Sequence, residues 1–139
     1  MNNEFEQISL KPGFMKHNGG VLFKTISENE YQFKTIIKEN HLNAAHITHG
    51  GFIAAFVDAG AGTAAHRSVE QKPCVTVSLE LKFISAVRLG QELIGKTKIQ
   101  KKTKTMVFLT CELSVSNKIV ATASGVWKIL KLSGAGPGS

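Results

Sequence analysis

Gly50-Gly51-Phe52-Ile53-Ala54-Ala55-Phe56-Val57-Asp58-Ala59-Gly60-Ala61-Gly62-Thr63-Ala64-Ala65-His66-Arg67 is the stretch on which the fold turns. From Phe52 to Arg67 it is rich in alanine and free of proline, which predicts a helix of about four turns. Two glycines lead into it. The polar run Ser68 to Lys72 and then Pro73 must end it, because proline cannot continue a helix.

Outside this stretch the chain reads as strand. Val21–Ile26 and Tyr31–Ile37 come before it, joined by Ser27-Glu28-Asn29-Glu30, which suits a hairpin turn. Val75–Phe83 follows, alternating apolar and polar residues with the period of a half-buried strand. Glu92–Lys101, Met106–Val115 and Ile119–Leu130 complete the set, separated by turns at Leu89-Gly90, Lys102-Thr103-Lys104 and Ser116-Asn117-Lys118. Short connections predict that consecutive strands are antiparallel neighbours. The expectation is an α+β fold, an antiparallel sheet of five to six strands with one long helix packed on it.

The length of 139 residues suits one domain spanning 1–139. Residues 1–19 form a mixed N-terminal segment with turn signals at Pro12-Gly13 and Asn18-Gly19-Gly20, and 133–139 form a flexible tail. No internal repeat is present. The first residues carry acid and no apolar run, and Gly50–Ala65 is too short to span a bilayer, so the reading is a cytoplasmic protein with no membrane partner. The formal charge is +7, with fifteen lysines. They are scattered except for Lys96, Lys98, Lys101, Lys102 and Lys104, and no basic helix interleaves with aromatics, so nucleic acid is not expected as a partner. Cys74 and Cys111 lie in strand-like runs without metal-ligand spacing and read as buried free thiols. His41 and His46 lack the carboxylate or thiolate partners of a zinc site, and neither metal nor cofactor is implied. His17 and His66 read as surface residues.

Asp58 is the only aspartate in the chain. Its neighbours at helical spacing, Ala54, Ala55, Ala61 and Gly62, are all small, while Phe52 and Phe56 lie on another side. No basic residue stands at helical spacing to pair with it, and an outer solvated face would carry more charges than this one. The carboxylate therefore lies where a ligand or another chain can approach. At the helix entry, the N–H groups around Gly50-Gly51 have no intrahelical partner, and the dipole there favours developing negative charge, which suits an oxyanion.

Asn43-Ala44-Ala45-His46-Ile47-Thr48-His49-Gly50-Gly51, with Asp58 nine residues after His49, resembles the hotdog-fold thioesterases of the PaaI-like (phenylacetate-pathway, 4-hydroxybenzoyl-CoA thioesterase-related) family. The resemblance runs from about Gly20 to Leu130 and includes Leu89-Gly90 and a closing strand with Ala121, Ser124, Gly125 and Trp127. It implies a sheet wrapped around one central helix and hydrolysis of an acyl-CoA thioester to a free acid and CoA. It assigns Asp58 as general base or nucleophile, the Gly50 N–H as polariser of the thioester carbonyl, and Thr76 as a hydroxyl holding the water, with Ser78 close by on the same strand face. By the same resemblance, Asn43 and His49 match residues that shape the site and orient the thioester or the water. Gly51, Phe52, Ser78 and Arg88 are expected to contact substrate. The lysines from Lys96 to Lys104 read either as a solvated hairpin or as a landing surface for CoA phosphates.

The resemblance also implies a homodimer or dimer of dimers with intersubunit sites. A hotdog dehydratase would pair its His and acid in a pattern not found here. A non-catalytic acyl-CoA-binding or assembly domain would have no need of Asp58 on a small-residue face.

Overall fold

The structure, a computed structural model, describes residues 4–131. Its elements run β1 (Glu6–Gln7), α1 (Phe14–His17), β2 (Leu22–Thr25), β3 (Glu30–Ile36), a 3₁₀ turn (Glu39–His41), α2 (Gly50–Ser68), β4 (Cys74–Phe83), β5 (Glu92–Lys102), β6 (Met106–Val115) and β7 (Lys118–Ile129). All seven strands join one antiparallel sheet in the order β1-β2-β3-β5-β6-β7-β4. The helix and six of the strands lie where the residue pattern puts them. The seventh, β1, has two residues, too few to show a period.

The helix packs one face against the sheet. Phe52, Ile53, Phe56, Val57, Gly60, Ala61, Ala64 and Ala65 are buried, and the sheet supplies Phe33, Leu93, Val107, Leu109, Leu113, Ala121 and Trp127 to the same core. Phe33 and Phe56 are in ring contact at 4.8 Å. Cys111 is a buried free thiol in this core, and its burial pushes the thiol pKa up to about 11. Cys74 is only half-buried, because it begins β4 at the sheet's edge.

Two strand expectations need correction. First, β4 is not beside β5. It lies at the far edge of the sheet against β7, and residues 84–91 carry the chain back across. That segment is pinned rather than free, since Val87 is buried and its carbonyl accepts both the Thr48 N–H at 2.8 Å and the Thr48 hydroxyl at 2.7 Å. Second, β4 carries a bulge. Thr76 pairs with Trp127 but Ser78 pairs with Val126, so one extra residue, Val77, stands between them. Paired residues share a face, so Thr76 turns with buried Trp127 toward the helix and Ser78 turns to the outer face. Ser78 is therefore not on the face of Thr76.

The helix comes unusually close to β3. A Cβ on Gly60 would stand 2.2 Å from the Phe33 ring, and one on Gly95 would stand 2.4 Å from it. Helix propensity alone favours Gly60→Ala by about 1 kcal/mol. The clash outweighs it, and we expect Gly60→Ala to lower unfolding free energy by about 1–3 kcal/mol, read by urea denaturation.

Candidate functional site

The loop before α2 is built by Asn43. Its side-chain Oδ1 accepts the N–H groups of Ala45 at 2.9 Å and Ile47 at 3.3 Å, and its own N–H donates to the Ile47 carbonyl at 2.8 Å. His46 takes a left-handed backbone, with φ of 62°, to close the turn. Leu42 and Thr48 then bridge as a single antiparallel pair. Asn43 thus holds the loop through Oδ1 and keeps its Nδ2 hydrogens for another partner.

His49 is the N-cap of α2. Its Nδ1 accepts the Gly51 N–H at 2.8 Å, and its carbonyl accepts from Phe52 at 3.0 Å and Ile53 at 3.2 Å. This fixes the tautomer of the neutral ring, with the proton on Nε2. The N–H of Gly50 has no acceptor among the described residues. It adjoins a cavity of about 330 Å³ lined by Asn43, Ile47, Gly50, Phe83, Ile84 and Val87, among others.

Asp58 lies on the exposed flank of α2, beside the start of β4. The Thr76 hydroxyl donates to its Oδ1 at 2.6 Å, and Oδ2 has no hydrogen-bond partner among the described residues. A second cavity, of about 610 Å³, opens here between Asp58, Gly62 and His66 of the helix and Cys74 and Thr76 of the strand, with Trp127 as its floor. The structure therefore brings Asp58 to Thr76, and Asn43, His49 and Gly50 to one another. The two groups stand apart, separated by about two and a half helical turns.

Gly51 is exposed on the first turn of α2. Phe52 joins neither cavity. It is buried, 3.8 Å from the His41 ring in a stacked pair, and belongs to the core. His41 is likewise structural, since its Nδ1 accepts the Lys38 N–H at 2.9 Å and its Nε2 lies 2.6 Å from the Asn18 carbonyl. Arg88 is exposed beside the turn at Gly90, and its backbone N–H donates to the Gln91 side chain at 2.8 Å. Lys96 and Lys98 alternate with buried Thr97 and Ile99, which puts both on the sheet face away from α2 and away from Asp58. Lys102 instead donates to the Ser68 carbonyl at 3.0 Å, at the helix C-terminus. His66 lines the second cavity and is half-buried rather than a simple surface residue. The sequence reading names Gly62 as a small neighbour of Asp58 and Trp127 as part of the closing strand, but gives neither a place at this cavity, which both line.

The cap makes a test of the site's scaffold. His49→Ala should cost about 1 kcal/mol of unfolding free energy, and His49→Asn, whose side-chain oxygen can also accept from the helix, should recover most of it. Denaturant unfolding of the two variants beside wild type measures both.

Among the described residues no helix is long and apolar enough to cross a membrane. The model of the thioesterase superfamily matches residues 45–121. A Pseudomonas aeruginosa protein provisionally named an esterase is 36% identical over 94 residues, covering 67% of this chain and 70% of that protein. The acyl-coenzyme A thioesterase 13 of Mus musculus is 25% identical over 112 residues, covering 79% of this chain and 80% of its own. A solved structure of a variant of the phenylacetic acid degradation protein PaaI, from Thermus thermophilus, superposes with a TM-score of 0.76 at 20% identity, covering 84% of this chain and 98% of that one. With a seven-stranded antiparallel sheet around one long helix and this match over most of its core, the chain has the hotdog fold and belongs to the thioesterase superfamily.

Proposed function

We propose that the protein hydrolyses an acyl-CoA thioester to a free carboxylic acid and CoA. The observation that carries this reading is the Asp58–Thr76 pair. A lone carboxylate has one oxygen held by a hydroxyl and the other open to a cavity. Asp58 acts as base on the attacking water or as nucleophile on the thioester carbon, and Thr76 orients its carboxylate. The Gly50 N–H, with no acceptor of its own and at the positive end of α2, polarises the thioester carbonyl and receives the oxyanion. Asn43 contributes through its Nδ2 hydrogens and His49 through Nε2–H. The relatives named as acyl-CoA thioesterase and esterase support the same reaction class.

Asp58→Asn keeps the shape of the side chain and removes its charge. It should leave the fold intact and lower kcat by roughly a hundredfold or more. Turnover within about threefold of wild type would exclude Asp58 from the chemistry. Gly50→Pro removes the proposed donor at a position where a first helical turn tolerates proline. A wild-type circular-dichroism spectrum with turnover abolished is the expected result, and undiminished activity would rule out the oxyanion role.

The two half-sites belong to one helix but cannot meet on one thioester. His49 and Asp58 are nine residues apart, which is about 13 Å along the axis and roughly 180° around it. Two chains related by a twofold axis resolve this, one bringing Asn43, His49 and Gly50 and the other Asp58 and Thr76. The edge position of β4 supports such pairing: its outer side has no strand neighbour among the described residues, and Val75, Val77, Phe83 and the following Ile84 are exposed. We therefore expect complementation. The inactive variants Asn43→Ala/Gly50→Pro and Asp58→Asn, unfolded and refolded together in equal amounts, should recover about a quarter of wild-type activity with random pairing. A mixture shown by mass spectrometry to hold mixed dimers, yet as inactive as its parents, would place the site within one chain.

A further inference from the structure

Lysines gather at one end of the sheet. Lys101 and Lys102 close β5, Lys104 lies in the turn to β6, Lys128 and Lys131 stand at the close of β7, and Lys72 precedes β4. Strand pairing brings these segments together. Met106 is opposite Lys128 and Cys74 is opposite Ile129, while the Ile129 N–H donates to the Thr105 carbonyl and the Leu130 N–H to the Pro73 carbonyl, both at 2.8 Å. The C-terminus of α2 ends here too, since Lys102 donates to the Ser68 carbonyl. All six lysines are exposed, and none is in an ion pair among the described residues. Glu70 shares the turn with Lys72, and Glu28 lies across the end at the β2-β3 turn, beside Asn29, whose carbonyl accepts from Ile99. Glu6 is paired with Arg67, and Glu30 stands opposite Lys98. Six lysines against two glutamates leave more than half of the chain's net charge of +7 at this end.

Neighbouring strands lie about 4.8 Å apart, so the four strands from β5 to β4 spread the lysines over about 15 Å. That width exceeds one phosphate group and suits an extended anionic surface. An apolar side chain stands beside it. Leu10 is 70% exposed, more than any other large apolar residue among those described, and it lines a cavity with Ser68 and Gln71 at the end of α2. Lys11 follows it. Lysines around an exposed leucine have the makeup of an interfacial contact, in which the cations meet anionic head groups and the apolar side chain enters the acyl boundary. A nucleic acid would use the lysines and leave Leu10 in water.

We propose that this end of the molecule docks on a bilayer of anionic phospholipid, with Lys72, Lys101, Lys104, Lys128 and Lys131 on the head groups and Leu10 at the acyl boundary. The expectation of no membrane partner rests on the lack of a spanning segment, and a surface contact needs none. Pro73 and Cys74 belong to this end and to the wall of the cavity beside Asp58, so docking sets that cavity near the bilayer.

The test is co-sedimentation with vesicles of phosphatidylcholine alone, or of two parts phosphatidylcholine to one part phosphatidylglycerol. Wild type should partition onto the anionic vesicles only, and less as salt rises. Each lysine near such a surface contributes about fivefold to partition, so Lys104→Gln/Lys128→Gln/Lys131→Gln should weaken it by roughly a hundredfold. Lys96→Gln/Lys98→Gln/Lys118→Gln removes the same charge elsewhere and should bind within about threefold of wild type. Equal binding to both vesicle types overturns the proposal. So does an equal loss in the two triple variants, which would make net charge rather than this end the cause, or no loss in the first. Leu10→Asn should weaken vesicle binding and leave binding to a double-stranded oligonucleotide unchanged. Vesicle binding unaffected by Leu10→Asn would give the lysines to a polyanion and overturn the bilayer. Hydrolysis of a short acyl-CoA separates the remaining source of phosphate: the first triple variant should keep the wild-type KM. A raised KM with vesicle binding unchanged would assign these lysines to CoA instead.

Discussion

Phe33 occupies a slot that exists only because Gly60 on the helix and Gly95 on the neighbouring strand carry no side chain. That close approach sets how near α2 lies to the sheet, and the rest of the molecule follows from it. With the axis held close, the bulky face, Phe52, Ile53, Phe56 and Val57, is buried in the core against the sheet. Only small residues are left for the flank turned toward β4. Asp58 is on that flank, so the carboxylate is reachable because the aromatic residues are committed elsewhere. One helix thus divides its circumference between packing and chemistry, and Gly60 keeps the division sharp.

The helix and the long strands are legible in the sequence because their periods survive in every residue: the alanine-rich run without proline, and the alternation from Val75 to Phe83. What is not legible depends on partners. The edge position of β4 is decided by the crossing of residues 84–91, held by Thr48 on the Val87 carbonyl, and nothing in the strand itself encodes that. The bulge at Val77 is set by how β4 meets β7. The alternation in the sequence runs through it unbroken, so period alone puts Ser78 on the wrong face.

The candidate site divides in the same way. Asp58 stands out as the lone acid among small residues, and a resemblance in spacing joins it to Thr76, 2.6 Å away in the structure. Phe52 cannot be assigned from spacing, because an aromatic side chain near a helix start reads the same whether it fills a pocket or a core. Its stack on His41 puts it in the core. The lysines of β5 stay ambiguous until the buried alternates Thr97 and Ile99 fix which face they occupy. Asn43 gains a role that no motif expresses, since its Oδ1 is consumed in building the loop that presents Gly50.

The bulge also ties the chemistry to the sheet's edge. Without Val77, the residues on either side of it would follow one unbroken alternation along β4. With it, the start of the strand points Thr76 at Asp58, while the residues after the bulge return Leu79 and Leu81 to the helix side opposite Gly125 and Ala123. Bulges also strengthen local twist and bend the strand that carries them. The strand that holds the Asp58 partner is also an edge strand, with no neighbour on its outer side among the described residues. A chain that paired with β4 would run along the strand whose Thr76 donates to Asp58. A change at that edge would therefore reach the carboxylate through Thr76, the hydroxyl that holds its Oδ1.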